Sequence, residues 1–60
     1  MKWREIADRY DVRLSSISEL LGLTKDYLRQ IDDGHKSEPK YMYATKMAVI
    51  AYYSLKQNYK

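Results

Sequence analysis

Gly22 and Gly34 are the only glycines in a chain whose apolar residues otherwise recur at helical spacing. Glycine closes helices because it takes the left-handed conformation without a Cβ penalty. The stretch between them, LTKDYLRQIDD, is therefore bounded as one short helix. Trp3, Ile6, Ala7 and Tyr10 follow i, i+3, i+4, i+7 and predict an earlier helix over residues 2–10. No stretch alternates with period two between turn residues, so no strand is expected.

The other boundaries follow from capping chemistry. Asp11-Val12-Arg13 reads as a connection. Ser15 and Ser16 are N-cap candidates, and Ser16 with Glu19 has the spacing of a capping box. This second helix runs to Leu21 and turns Ile17, Leu20 and Leu21 inward. Thr24 caps the third helix through its hydroxyl, with Asp26 near the positive end of the dipole. Leu28 and Ile31 face inward, and Gly34 ends that helix. After the loop GHKSEP, Pro39 opens a fourth helix over residues 39–57. The expected core is Trp3, Ile6, Ile17, Leu20, Leu21, Leu28 and Ile31. There is no visible repeat, linker or low-complexity segment. The expectation is a single all-α, four-helix domain. Residues 1–38 form its core and residues 39–60 a long C-terminal helix that completes it.

A chain of 60 residues buries only about 60% of its unfolded surface, so its own core is marginal. It has no cysteine and one histidine, which removes disulfides and zinc as staples and leaves oligomerisation. The net charge is +3, and the excess comes from Lys46, Lys56 and Lys60, whose segment carries no acid. These lysines are read as keeping the last helix soluble. The longest apolar run, MAVIAYY at residues 47–53, falls well short of the roughly 20 residues that span a bilayer. MKWREIADRY carries charges where a secretory signal has its apolar region, so a soluble cytoplasmic protein is expected, without membrane contact. No convergent carboxylates, nucleophile with a base, or Gly-rich phosphate loop point to catalysis. No enzyme activity, cofactor, metal or small-molecule ligand is expected. The tyrosines are read as packing or interface residues.

Two short helices joined by Gly22-Leu23-Thr24 have the layout of a helix-turn-helix. Its demands are met by Gly22 at the turn, by small Ser18 where the helices cross, and by Ile17, Leu21, Leu23, Leu28 and Ile31 holding the crossing. The run ISELLGLTKDYLRQIDDGHK, with Ile6 and Val12 upstream, resembles the lambda repressor/Cro-like (XRE-type) DNA-binding family over residues 3–36. The chain departs from that pattern at Leu14, where Gln is common, at Ser18 for Ala, at Asp11 for Gly, and in its one long final helix.

The resemblance implies a bacterial or phage transcription regulator, of repressor type, with helix 24–33 in the major groove of double-stranded DNA. Thr24, Lys25, Asp26, Arg29 and Gln30 are the base-contacting candidates. Arg or Lys suits guanine, Gln adenine, and Asp the amino group of cytosine. Arg13, Ser15, Ser16, Tyr27, His35, Lys36 and Lys40 are the phosphate-contacting candidates, Ser15 and Ser16 through free amides at a helix N-terminus. Asp32 and Asp33 are expected to face away from DNA as a solvated helix end. A competing register makes residues 14–21 the recognition helix, but it lacks the turn glycine and the long polar side chains that pair with bases.

An inverted-repeat operator calls for a homodimer. In the last helix Ala44, Met47, Ala48, Ala51 and Leu55 share one apolar face, expected on the protein's own core. Met42, Val49, Ile50 and Tyr53, on the other, are the expected dimer interface. Two other functions fit the same residues. One is a DNA-recognition adaptor in a phage or mobile-element packaging or excision complex. The other is a protein-interaction module, which the acids of the third helix favour.

Overall fold

Apolar periodicity and glycine punctuation divide the chain into four helices. In the computed structural model, which describes residues 1–58, these are α1 (Trp3–Arg9), α2 (Leu14–Leu21), α3 (Lys25–Asp32) and α4 (Lys40–Asn58). Lys60, counted above among the solubilising lysines, lies outside the described residues. The first three helices pack on one another, and α4 lies against them.

Each short helix ends in the same way. A left-handed residue (Asp11 at φ 53°, Gly22 at 69°, Gly34 at 80°) reverses the chain. Its amide donates three residues back, to Asp8, Glu19 and Ile31 respectively, and the next amide donates five back. Thus Val12 N–H reaches the Ala7 carbonyl at 3.0 Å, Leu23 N–H that of Ser18 at 2.9 Å, and His35 N–H that of Gln30 at 2.9 Å. These are Schellman closures, which satisfy carbonyls that a helix end otherwise leaves orphaned. The chain therefore contains a repeated local geometry that its residue types conceal, because Asp11 stands where the second copy has glycine.

The start of α2 differs from expectation. The helix begins at Leu14 with Arg13 as its N-cap residue, so Ser15 and Ser16 lie inside the first turn and cap nothing. Starting earlier lets Leu14 pack on the core, and apolar burial outweighs a serine cap. Leu20, expected inside, is 50% exposed. Leu21 takes the inward position beside fully buried Ile17.

The N-terminus of α1 is closed from a distance. The Asp32 carboxylate accepts from the amides of Trp3 at 2.8 Å and Arg4 at 3.0 Å. Glu5 accepts from the Lys2 amide at 2.8 Å. Asp32 is thus not a solvated helix end. Its side chain is 1% exposed, and the Arg4 guanidinium lies 3.5 Å from it. Asp33 remains at the surface, paired with Arg4 at 2.7 Å.

The faces of α4 are the reverse of those expected. Met42, Val49 and Tyr53 are buried and Ile50 is half-buried against the core, so these residues are not available as a dimer interface. Ala44, Met47, Ala48, Ala51 and Leu55 face outward. The larger side chains remove more apolar area from water, which favours their face inside. Tyr53 stacks on Tyr10 at 5.9 Å, and the Tyr10 and Ser54 hydroxyls meet at 2.9 Å. Lys46 shares this inner face and is no free solubilising charge. Its ammonium donates to the Met1 carbonyl at 2.7 Å and Glu38 at 3.0 Å, 5.0 Å from the Trp3 ring centroid.

Asp32→Ala leaves two helix-start amides without an acceptor in a buried setting, and is expected to cost about 2–3 kcal/mol. Asp33→Ala removes only an exposed ion pair and is expected to cost less than about 0.5 kcal/mol. Urea midpoints followed by circular dichroism distinguish the two; equal losses would contradict the distal cap.

Candidate nucleic-acid interface

α3 begins at Thr24, whose hydroxyl accepts from the Tyr27 amide at 3.2 Å. From there Leu28 is fully buried and Ile31 half-buried. Residues about 100° apart on a helix cannot all face one way, and Lys25, Asp26, Arg29 and Gln30 lie on the solvent side, all exposed. Arg29 and Asp26 approach to 3.8 Å along this face. Ser18, expected as the small residue at the helix crossing, is 6% exposed and donates its hydroxyl to the Ser15 carbonyl at 2.8 Å.

Two concavities flank α3. The first, about 510 Å³, is lined by Arg4, Ala7, Asp8, Val12, Arg13, Leu14, Ser15, Lys25 and Arg29. Four of these are cations and only Asp8 is an anion. The second, about 430 Å³, is lined by Gly22, Leu23, Thr24, Asp26, Tyr27, Gln30 and Lys36. The Lys36 ammonium sits 5.5 Å from the Tyr27 ring centroid. The amides of His35 and Lys36 both donate to the Gln30 carbonyl, which ties this loop to the end of α3. The exposed ridge of α3 therefore stands between a cationic furrow at Arg13 and a second furrow closed by Lys36.

The expected base-contacting residues divide between the furrows. Lys25 and Arg29 line the first; Thr24, Asp26 and Gln30 line the second. Among the expected phosphate contacts, Arg13 and Ser15 line the first furrow and Tyr27 and Lys36 the second. Ser16, His35 and Lys40 are exposed but line neither. The Ser16 amide is also not free: it donates to the Arg13 carbonyl at 3.0 Å. Arg4 was not among the sequence candidates, yet it lines the first furrow while holding Asp33. Its placement depends on α1 crossing the end of α3, which no local spacing reveals. With Asp32 turned into the core and Asp33 paired, Asp26 and Asp8 are the carboxylates left lining the furrows.

The competing register is not excluded by the turn, since Asp11 adopts the left-handed conformation that Gly22 adopts. Chemistry separates the two. The outward residues of α2 include Ser16, Glu19 and Leu20, an acid and an aliphatic with no basic residue. No family model, curated protein or solved structure matches this chain.

An ideal Cβ on Gly22 meets nothing within 4 Å, so the cost of a side chain there is conformational. Gly22→Ala is expected to lose about 1–2 kcal/mol. Gly22→Asn, which tolerates the left-handed region, is expected to lose less. Thermal midpoints should rank glycine, asparagine, alanine; the reverse order would point to crowding instead of backbone strain.

Proposed function

We propose that this protein is a sequence-reading double-stranded DNA-binding module of the lambda repressor/Cro-like kind, acting in transcription regulation, with α3 in the major groove. The observation that carries the reading is the α3 ridge. Lys25, Asp26, Arg29 and Gln30 are all exposed on it, while Leu28 anchors it from behind and cations stand on both sides. An α-helix with its side chains is about 10–12 Å across, which a major groove about 12 Å wide admits.

The two tasks fall to different residues. Arg29 and Lys25 are suited to the O6 and N7 acceptors of guanine, Gln30 to adenine, and Asp26 to the amino group of cytosine. Arg13 and Lys36 are suited to phosphates on either side of the ridge and fix its register without reading sequence. Asp32 is buried and Asp33 is paired with Arg4, so neither carboxylate lines the furrows beside α3, although the same Arg4 is then partly neutralised. Asp26 remains as a group that penalises a wrong base more than it adds affinity.

Selection from a randomised duplex library tests the reading, with enrichment of a defined sequence expected. An adaptor in a larger complex would enrich a site only with its partner present, and an interaction module would enrich none. Arg29→Ala should relax preference at one base step, by about 1–3 kcal/mol of discrimination. Lys36→Ala should weaken all sequences alike and reduce the salt slope by about one. Identical behaviour of the two variants on every duplex would overturn this division.

A further inference from the structure

The first furrow gathers a charge that the surrounding chain does not have. Residues 1–40 hold eight basic and eight acidic side chains, yet the furrow is lined by four bases and one acid. Its cations come from three elements: Arg4 from α1, Arg13 from the N-cap of α2, and Lys25 and Arg29 one turn apart on α3. No single stretch of sequence therefore announces it. Several of the acids are engaged elsewhere: Glu5 with the Lys2 amide, Glu38 with Lys46, and Asp32 and Asp33 with α1. Arg4 is partly neutralised by Asp33, and Arg29 has only Asp26, at 3.8 Å. Arg13 and Lys25 have no ion-pair partner among the described residues. The furrow also has an apolar part. Ala7 is buried, and Val12 and Leu14 are half-buried against the core, so this part is held in place by the fold itself.

We propose that this furrow binds the linked phosphates of a free nucleoside triphosphate, with the nucleoside resting on Ala7, Val12 and Leu14. Three of its four cations are arginines, whose planar forks match phosphate oxygens bidentately. Linked phosphates concentrate several negative charges within one short ligand, whereas a duplex distributes its charges along both strands. The concavity of about 510 Å³ falls within the roughly 300–1,000 Å³ of ligand clefts. At its edge the amides of Leu14 and Ser15 donate to no acceptor among the described residues, and they add to the cations. Asp8 repels phosphate and instead accepts hydrogen bonds from the sugar hydroxyls. Lys25, Arg29 and Arg13 are also the groups assigned above to bases and phosphate. Under the DNA reading, on which this consequence alone rests, nucleotide and duplex exclude one another, so that the nucleotide acts as a release signal.

Binding is measured first without DNA, on the full chain. Adenosine triphosphate is titrated in magnesium-free buffer at physiological ionic strength and followed by amide chemical shifts. The amides of α1, of residues 12–15 and of Lys25 and Arg29 should move together, while those of α4 stay still. Arg13→Gln should raise the dissociation constant about tenfold, the loss of one charge-assisted contact. Lys56→Gln removes the same charge from α4, away from the furrow, and should leave the constant unchanged. Both side chains are exposed, so circular dichroism should show both variants folded. Inorganic tripolyphosphate should bind at least about threefold more weakly, because it leaves the apolar part uncovered. Adenosine alone should not bind measurably. Absence of any shift overturns the site, and so does an equal loss in the two variants, which would mean attraction to net charge. Equal affinity for the two phosphate compounds overturns the seat for the nucleoside. Adenosine triphosphate added to a protein–duplex complex should then release the duplex. A chain that binds nucleotide but no duplex sinks the DNA reading and leaves the furrow standing; simultaneous binding of both overturns the exclusion.

Discussion

One carboxylate holds the first and third helices in place. Asp32 lies at the end of α3 and accepts the two leading amides of α1. A carboxylate at the C-terminal end of its own helix is ordinarily unfavourable, because it sits against the negative end of the dipole. Here the same group lies at the positive end of α1 and beside the Arg4 guanidinium, so its charge is compensated from both sides. The contact joins residues 29 apart in sequence. It fixes the start of α1 against the end of α3, and with it Trp3, the largest fully buried side chain of the core. The angle at which the α3 ridge meets solvent follows from this clamp and from Leu28 behind it.

The turns show how little residue identity a backbone conformation requires. Asp11 and Gly22 close their helices by the same pair of amide bonds and the same sign of φ. Two successive helix-turn-helix units result, overlapping through α2. Geometry alone does not say which helix would read DNA under the proposed function. The distinction lies in what each presents: α2 turns Glu19 and Leu20 outward, whereas α3 presents Lys25, Arg29 and Gln30. Under the proposed function, recognition would be a property of side chains grafted onto a repeated turn, not of the turn itself.

Features set by neighbours in sequence were legible in the sequence. Thr24 and Gly22 bracket α3 through local hydrogen bonds and a local backbone preference, and Leu28 and Ile31 reveal their side by spacing alone. Features set by distant partners were not. The serine cap of α2 failed because burying Leu14, a tertiary gain, moved the helix start past Ser15 and Ser16. Asp32 looked like an ordinary solvated acid because its two donors lie almost half the chain away. Arg4 entered the first furrow for the same reason. α4 was ambiguous in another way: both of its faces are apolar, so periodicity identified the helix without saying which side the core would take.

That ambiguity has a physical resolution which bears on the whole molecule. Three short helices expose one apolar surface for α4 to cover, and among the described residues the other side of α4 stays exposed. The side with Met42, Val49 and Tyr53 wins because it fills more volume and brings the Tyr10 stack and the Ser54 hydrogen bond with it. What remains outside is the alanine side, which contributes least to the monomer's core and lets another backbone approach most closely. The same allocation keeps Lys46 inward, where Glu38 and the Met1 carbonyl hold it. The monomer's core thus draws on one side of α4 only. Residues on the outer side can change without unpacking the core that positions α3.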